Sequence, residues 1–174
     1  VFYDNVTNTY INIQENYNYR NNYGNLNFDQ ILSIYSQLSN KYSEKFKSIN
    51  ELTITDIRNP NDLFWANQNR KSDFRTALTG RGGRITIYKY AYGNKLEYSF
   101  IHELGHNLDV KNGIEYGISN SSEWIEAFKA DKKGAVSEYA KQSLNRTKNK
   151  YAEDFAESIA LSQENSKLFE ANYP

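Results

Sequence analysis

The chain has only two histidines in 174 residues, and they stand four apart in His102-Glu103-Leu104-Gly105-His106. On a helix advancing about 100° per residue, both project from one side within about 40° of each other, so the two imidazoles can reach one point. Glu103 lies about 100° round from His102, near enough to meet whatever that point holds. Phe100, Leu104 and Leu108 fall on the opposite side, which divides the expected helix into a core face and a polar face. Gly105 lets another backbone come close. Chance would give two lone histidines this spacing, with Glu after the first, on the order of one time in a thousand.

Two imidazoles at this spacing are a ligand pair for zinc. There is no cysteine, so a disulfide framework, a Cys-ligated metal and a thiol nucleophile are all excluded. A structural zinc site normally takes four Cys or His ligands, and two histidines cannot supply them. An open catalytic site with three protein ligands fits better. A metzincin would need histidine where Asn112 stands and glycine where Asp109 stands, so the third ligand is expected to be a carboxylate. Glu153 and Glu157 lie one helical turn apart, opposite Tyr151, Phe155 and Ile159. One of them can bind the ion while the other orients a histidine. Asp109, a turn beyond His106, is another candidate for outer support.

Periodicity outlines the rest of the chain. Val6, Tyr10, Ile13 and Tyr17 have helical spacing, and Asp29 to Phe46 repeats it more strongly through Ile31, Leu32, Tyr35, Leu38, Tyr42 and Phe46. Glu51 to Arg58 reads as a short strand ended by Asn59-Pro60-Asn61. Asp62 to Leu78 is ambiguous. Thr79 to Gly83 reads as a loop, and Arg84 to Tyr92 alternates as a strand that reaches the motif helix through a Gly93-Asn94 turn. Asn120 and Glu123 resemble a capping pair for a helix that buries Trp124, Ile125 and Phe128 and stops near Gly134. A last long helix starts at about Lys150. The expected organisation is α+β in one domain, 1–174, with a mixed α/β part over about 1–94 and a helical part over about 95–174.

Composition narrows the partners. With 39% apolar and 15% aromatic residues the chain can build a real core. Basic and acidic residues balance at 21 each, and no basic run marks a phosphate-binding stripe, so nucleic acid is not expected. No stretch approaches the roughly 20 apolar residues of a membrane span. Val1 does not open a signal peptide, so the sequence reads as a soluble domain or mature fragment. The Thr79 to Gly83 loop lacks the Lys-Ser/Thr of a phosphate loop, so nucleotide is not expected either. A monomer is expected.

Three blocks then become recognisable in combination. Phe100-Ile101-His102-Glu103-Leu104-Gly105-His106-Asn107-Leu108-Asp109, Ser137-Glu138-Tyr139-Ala140 and Glu153-Asp154-Phe155-Ala156-Glu157 resemble the catalytic domain of anthrax lethal factor and the related clostridial Pro-Pro endopeptidases. The similarity covers residues ~95 to 162 and implies a zincin-like fold of two lobes with the active-site helix between them. It implies one catalytic Zn2+ on His102, His106 and Glu153, with Glu103 as general base and Glu157 in outer support. Tyr139 matches the family tyrosine that donates to the oxyanion. That tyrosine usually precedes the ligand glutamate by about two helical turns, whereas Tyr139 precedes Glu153 by 14 residues. An insertion around Gln142 to Lys148 would account for the difference.

The implied activity is zinc-dependent endopeptidase hydrolysis of protein substrates through a zinc-bound water, at proline-rich sites of secreted or surface proteins. The implied location is extracellular, in a Gram-positive bacterium. Two alternatives stand beside it. One is the toxin branch, which cuts a host signalling protein, and the other is a peptide-binding module that keeps the scaffold without turnover. Arg84 to Tyr90 is the candidate edge strand on which an extended peptide substrate would add, or else an ordinary half-buried strand.

Overall fold

A computed structural model describes residues 2–4, 9–14, 33, 36–37, 39–41, 48–55, 57–62, 78–88 and 93–164. It is a mixed α/β structure, and the chain divides into two compact units, Val1–Ser99 and Phe100–Pro174.

The first unit holds a five-stranded sheet in the order β1-β2-β3-β5-β4. Its strands are β1 (Phe2–Asp4), β2 (Thr9–Gln14), β3 (Glu51–Thr55), β4 (Leu78–Arg81) and β5 (Arg84–Ile87). β2, β3 and β5 run parallel, while β1 and β4 pair antiparallel at the two sides. Alternation fixes the register. Leu52 faces Ile85 and Ile54 faces Ile87 across β3 and β5, and Leu78 on β4 stands opposite Ile87, so these five side chains form one buried face. A slip of one residue would turn the whole set towards solvent.

Several expectations need correction here. The stripe that joined Tyr10 to Ile13 as one face of a helix belongs to β2, and the two-residue period of a strand does not sustain a helical stripe. Thr-Tyr-Ile-Asn-Ile is rich in β-branched and aromatic residues, and pairing with β1 and β3 decides the outcome. Val6 and Tyr17 lie outside the described residues. Thr79 to Arg81 is strand rather than loop, because Gly82 and Gly83, both at positive φ (60° and 76°), form a two-residue hairpin turn into β5. β5 is hydrogen-bonded on both sides, so Arg84–Ile87 cannot accept an added peptide strand; among the described residues the sheet ends at β1 and β4. Positions 89 and 90 are outside them. Of the helix expected from Asp29 to Phe46, residues 33, 36, 37 and 39–41 are helical and the others are not described.

In the second part of the chain α1 (Gly93–Leu108) carries the motif and takes in the Gly93-Asn94 pair expected to form a turn. Leu96, Phe100 and Leu104 recur every four residues as its buried face. β6 (Val110–Lys111) and β7 (Ile114–Glu115) follow as a hairpin whose Asn112 and Gly113 have φ of 55° and 77°. Asn-Gly is the preferred pair for such a turn, a signal the periodicity reading passed over. α2 (Ser122–Ala130) is capped by Ser121, one residue later than expected, through a 3.3 Å bond from the Trp124 N–H to the Ser121 hydroxyl. Trp124, Ile125 and Phe128 are half-buried rather than fully buried. α3 (Glu138–Ser143) and α4 (Ala152–Glu164) complete the described chain. No helix among the described residues is long and apolar enough to cross a membrane.

α4 is buried on every side from Tyr151 to Ser158. Trp124 and Phe128 of α2 pack edge-on or tilted against Phe155 and Tyr151, with centroids 4.9 and 5.0 Å apart. α1 meets α4 at Gly105. A Cβ there would sit 2.8 Å from the Cα of Ala156 and 3.2 Å from its carbonyl oxygen, so the two backbones touch where only glycine fits. Gly105→Ala should therefore destabilise the protein by about 1–3 kcal/mol through forced separation of the helices, the usual cost of overpacking. Chemical denaturation of the two proteins measures this, and equal midpoints would contradict the close crossing.

Candidate metal centre

The crossing of α1 and α4 delivers three ligand atoms to one place. Nε2 of His102 and Nε2 of His106 lie 3.2 and 3.3 Å from Oε2 of Glu153, with the two imidazole rings at 86° to each other. The three atoms lie within 4.8 Å of one another. Ions bound at 2.0–2.1 Å in tetrahedral geometry separate their ligands by about 3.3–3.4 Å, which the two nitrogen-to-oxygen distances match. Oε2 of Glu153 is buried and makes no aligned hydrogen bond despite the two nearby nitrogens. An orphaned buried acceptor between two imidazoles fits a cation that takes all three lone pairs. The buried group of His102, His106 and Glu153 could hold a metal ion.

The far sides of these ligands are braced. Nδ1 of His102 lies 2.7 Å from Oε1 of Glu157, so its N–H donates to that carboxylate and the ring plane is fixed with Nε2 turned inward. Oε1 of Glu153 accepts from Nη1 of Arg146 at 2.8 Å. Glu153 and Asp154 stand in the first turn of α4, where the helix dipole favours negative charge. Asp154 accepts the Val136 N–H at 2.9 Å, tying α4 to the strand of chain that leads into α3. Burial raises its pKa to about 6, with Asp131 and Glu157 adding to the rise and the Val136 N–H opposing it.

Protonation follows from these contacts. Burial would strip the charge from His102, yet the carboxylates of Glu153 and Glu157, with Glu103 behind them, outweigh it and raise the pKa to about 10. Glu153 is likewise resisted by burial but is held far below the usual carboxylate range by the two imidazoles. These contacts favour the protonated form of His102 and the ionised form of Glu153.

Tyr139 reaches the same centre. Its ring centroid is 5.8 Å from that of His102 at an interplanar angle of 62°. Burial, then the charges of Glu153, Glu103 and Glu157, push the phenol well above its ordinary pKa against the opposing effect of Arg146. The hydroxyl therefore remains a donor, although the residue as a whole is half exposed. The chain from Tyr139 to Glu153 runs through the rest of α3, capped by Ser137, and a turn closed by the Ser143 hydroxyl, which donates to the carbonyls of Ala140 and Lys150 at 2.7 and 2.9 Å. Glu103 is half-buried beside His102, and its charge is felt by both His102 and Tyr139.

Asp109 is employed elsewhere. It is fully buried, and Oδ1 accepts the N–H groups of Ile118 and Ser119 at 3.0 and 2.7 Å while its carbonyl accepts that of Gly117. It clamps the return of the β6–β7 hairpin beneath the end of α1 and bonds to neither imidazole; among the described residues Nδ1 of His106 has no hydrogen-bond partner. Arg146 and Asp154 went unnoticed in the sequence. Arg146 stands seven residues before Glu153, the separation at which the resemblance places a tyrosine, but an arginine in a polar turn gives no periodic signal. The chain matches no protein-family model, no curated protein and no solved structure.

A proton count tests the cluster. His102 binds its proton more tightly folded than unfolded, so this group's contribution to the stability of the metal-free protein is complete below about pH 6.5 and is lost as pH rises towards about 10. Within that window a divalent ion such as Zn2+ must displace the proton on Nε2, releasing about one proton per ion. Calorimetric titration in buffers of different ionisation enthalpy counts it, and no release at about pH 7.5 would mean that His102 is already neutral there.

Proposed function

We propose that the protein is a zinc-dependent endopeptidase that hydrolyses peptide bonds of protein substrates. The observation that carries this reading is the convergence of His102, His106 and Glu153, with both nitrogen-to-oxygen distances close to those of ligands on one ion, beside a half-buried Glu103. Two nitrogens and one carboxylate oxygen suit zinc, and three ligands leave a position open, as catalytic rather than structural sites do. When bound, the ion would supply Lewis acidity to a scissile carbonyl and to an attacking water.

The residues of the chain divide the remaining work. Glu103 takes the proton of the attacking water and returns it to the leaving amide nitrogen. Tyr139, kept protonated by its surroundings, donates a hydrogen bond to the oxyanion. Glu157 fixes the tautomer of His102. The zincin-like arrangement of two lobes belongs to the same proposal, as does the similarity to the secreted Pro-Pro endopeptidases, which makes proline-containing extracellular proteins the proposed substrates. A proline pair at the cut would select that branch over the toxin branch.

Cleavage-site profiling of a diverse peptide library by mass spectrometry, comparing the zinc-loaded protein with Glu103→Gln, tests the activity. Loss of cleavage by about 10²–10⁴-fold in the variant is expected of a missing general base. Zinc-loaded protein that cuts nothing, yet binds selected peptides equally well with and without Glu103, would be a binding module instead. Tyr139→Phe should lower kcat by about 10²–10³-fold, the cost of one oxyanion donor, with zinc still bound. Unchanged turnover would remove Tyr139 from the mechanism.

A further inference from the structure

Glu153 uses its two oxygens for different purposes. Oε2 lies between the imidazoles at 3.2 and 3.3 Å, and Oε1 accepts from the Arg146 guanidinium at 2.8 Å. A free carboxylate can turn both oxygens to one cation, and doing so here would fill the position a catalytic centre must keep open.

We propose that Arg146 is a positioning residue that holds Glu153 to coordination through one oxygen, so that the metal centre stays four-coordinate with one place for water or substrate. This rests on the metal reading of His102, His106 and Glu153.

The local structure is built to deliver the guanidinium. The N–H of Arg146 donates to the carbonyl of Ser143 at 2.9 Å, and the Ser143 hydroxyl bonds in turn to the Lys150 carbonyl, so the backbone of Arg146 is pinned between the end of α3 and the start of α4. Its side chain is 45% exposed, while that of Glu153 is 9% exposed. An arginine this exposed fills no core space, and half-exposed ion pairs contribute little stability for the side-chain entropy they cost. What the bond does provide is direction. A fixed N–H aimed at Oε1 removes one of the two ligand atoms from the competition for the ion, and the planar guanidinium does this with less loss of freedom than a lysine ammonium would.

Cobalt(II) reports the difference, because four-coordinate Co2+ absorbs visible light far more strongly than five-coordinate Co2+. The full chain and its Arg146→Ala and Arg146→Lys variants are each loaded with one equivalent of Co2+, and their visible spectra and melting temperatures are recorded. Wild type should show intense four-coordinate bands, Arg146→Ala should weaken them several-fold as Oε1 turns to the ion, and Arg146→Lys should restore most of the intensity. Arg146→Met, which keeps length but has no donor, repeats the Ala comparison if the Ala protein does not fold. A spectrum for the donorless variant that matches wild type in position and intensity overturns the role of Arg146 alone. Wild type that takes up neither Co2+ nor Zn2+ overturns the metal reading itself, so the two failures are distinguishable.

Discussion

The contact between Gly105 and Ala156 sets the geometry of the site. Glu153 sits one turn before Ala156 on α4, and His102 and His106 flank Gly105 on α1, so the closeness of the two backbones decides whether a glutamate can reach between the imidazoles. A larger residue at either point would hold the helices apart by about the width of a methyl group. The 3.2 and 3.3 Å separations between the imidazole nitrogens and Glu153 would then open. Packing and chemistry share one constraint: a helix crossing that admits only glycine lies within one turn of each of the three ligand residues.

That closeness has an electrostatic consequence. Glu153, Asp154 and Glu157 are all buried on α4, and charged groups taken from water need partners. Each has a distinct one. Glu157 has the far nitrogen of His102, Asp154 has a backbone N–H, and Glu153 has Arg146 on one oxygen and two imidazoles on the other. The first turn of a helix lowers the cost further. The same bonds that partner the buried carboxylates also orient the side chains that face the centre.

How much of this was legible depends on the range of the interaction responsible. The motif helix and the pairing of two histidines follow from spacing within five residues, and the buried alternation of Ile85 and Ile87 from spacing within three. The segment around Tyr10 misled because its apolar residues fit a helical stripe and a strand alike, and partners more than thirty residues away on β3 resolved it. Gly82-Gly83 and Asn112-Gly113 both announce hairpins, but the first reads as part of a loop and the second carries no periodic signal, so neither shows by itself that its flanks pair. Glu153 and Glu157 were open to either assignment from periodicity alone. Only the distances to Nε2 and Nδ1 of His102 separate the inward carboxylate from the bracing one.

Arg146 and Asp109 mark the limit of reading function from residue type. An exposed arginine in a polar turn and a buried aspartate just after the motif invite the wrong weights, the first too little and the second too much. Asp109 satisfies the backbone of its own hairpin with one oxygen, a local structural duty that its position beside His106 conceals. Arg146 gains its importance only from where the turn after α3 aims it. Around Glu153 the metal-free protein balances charge with a proton on His102, and a bound cation would replace that proton without moving Arg146 or Glu157. The bonds from Arg146 to Glu153 and from His102 to Glu157 are already made, so an ion that binds there meets side chains held from their far sides.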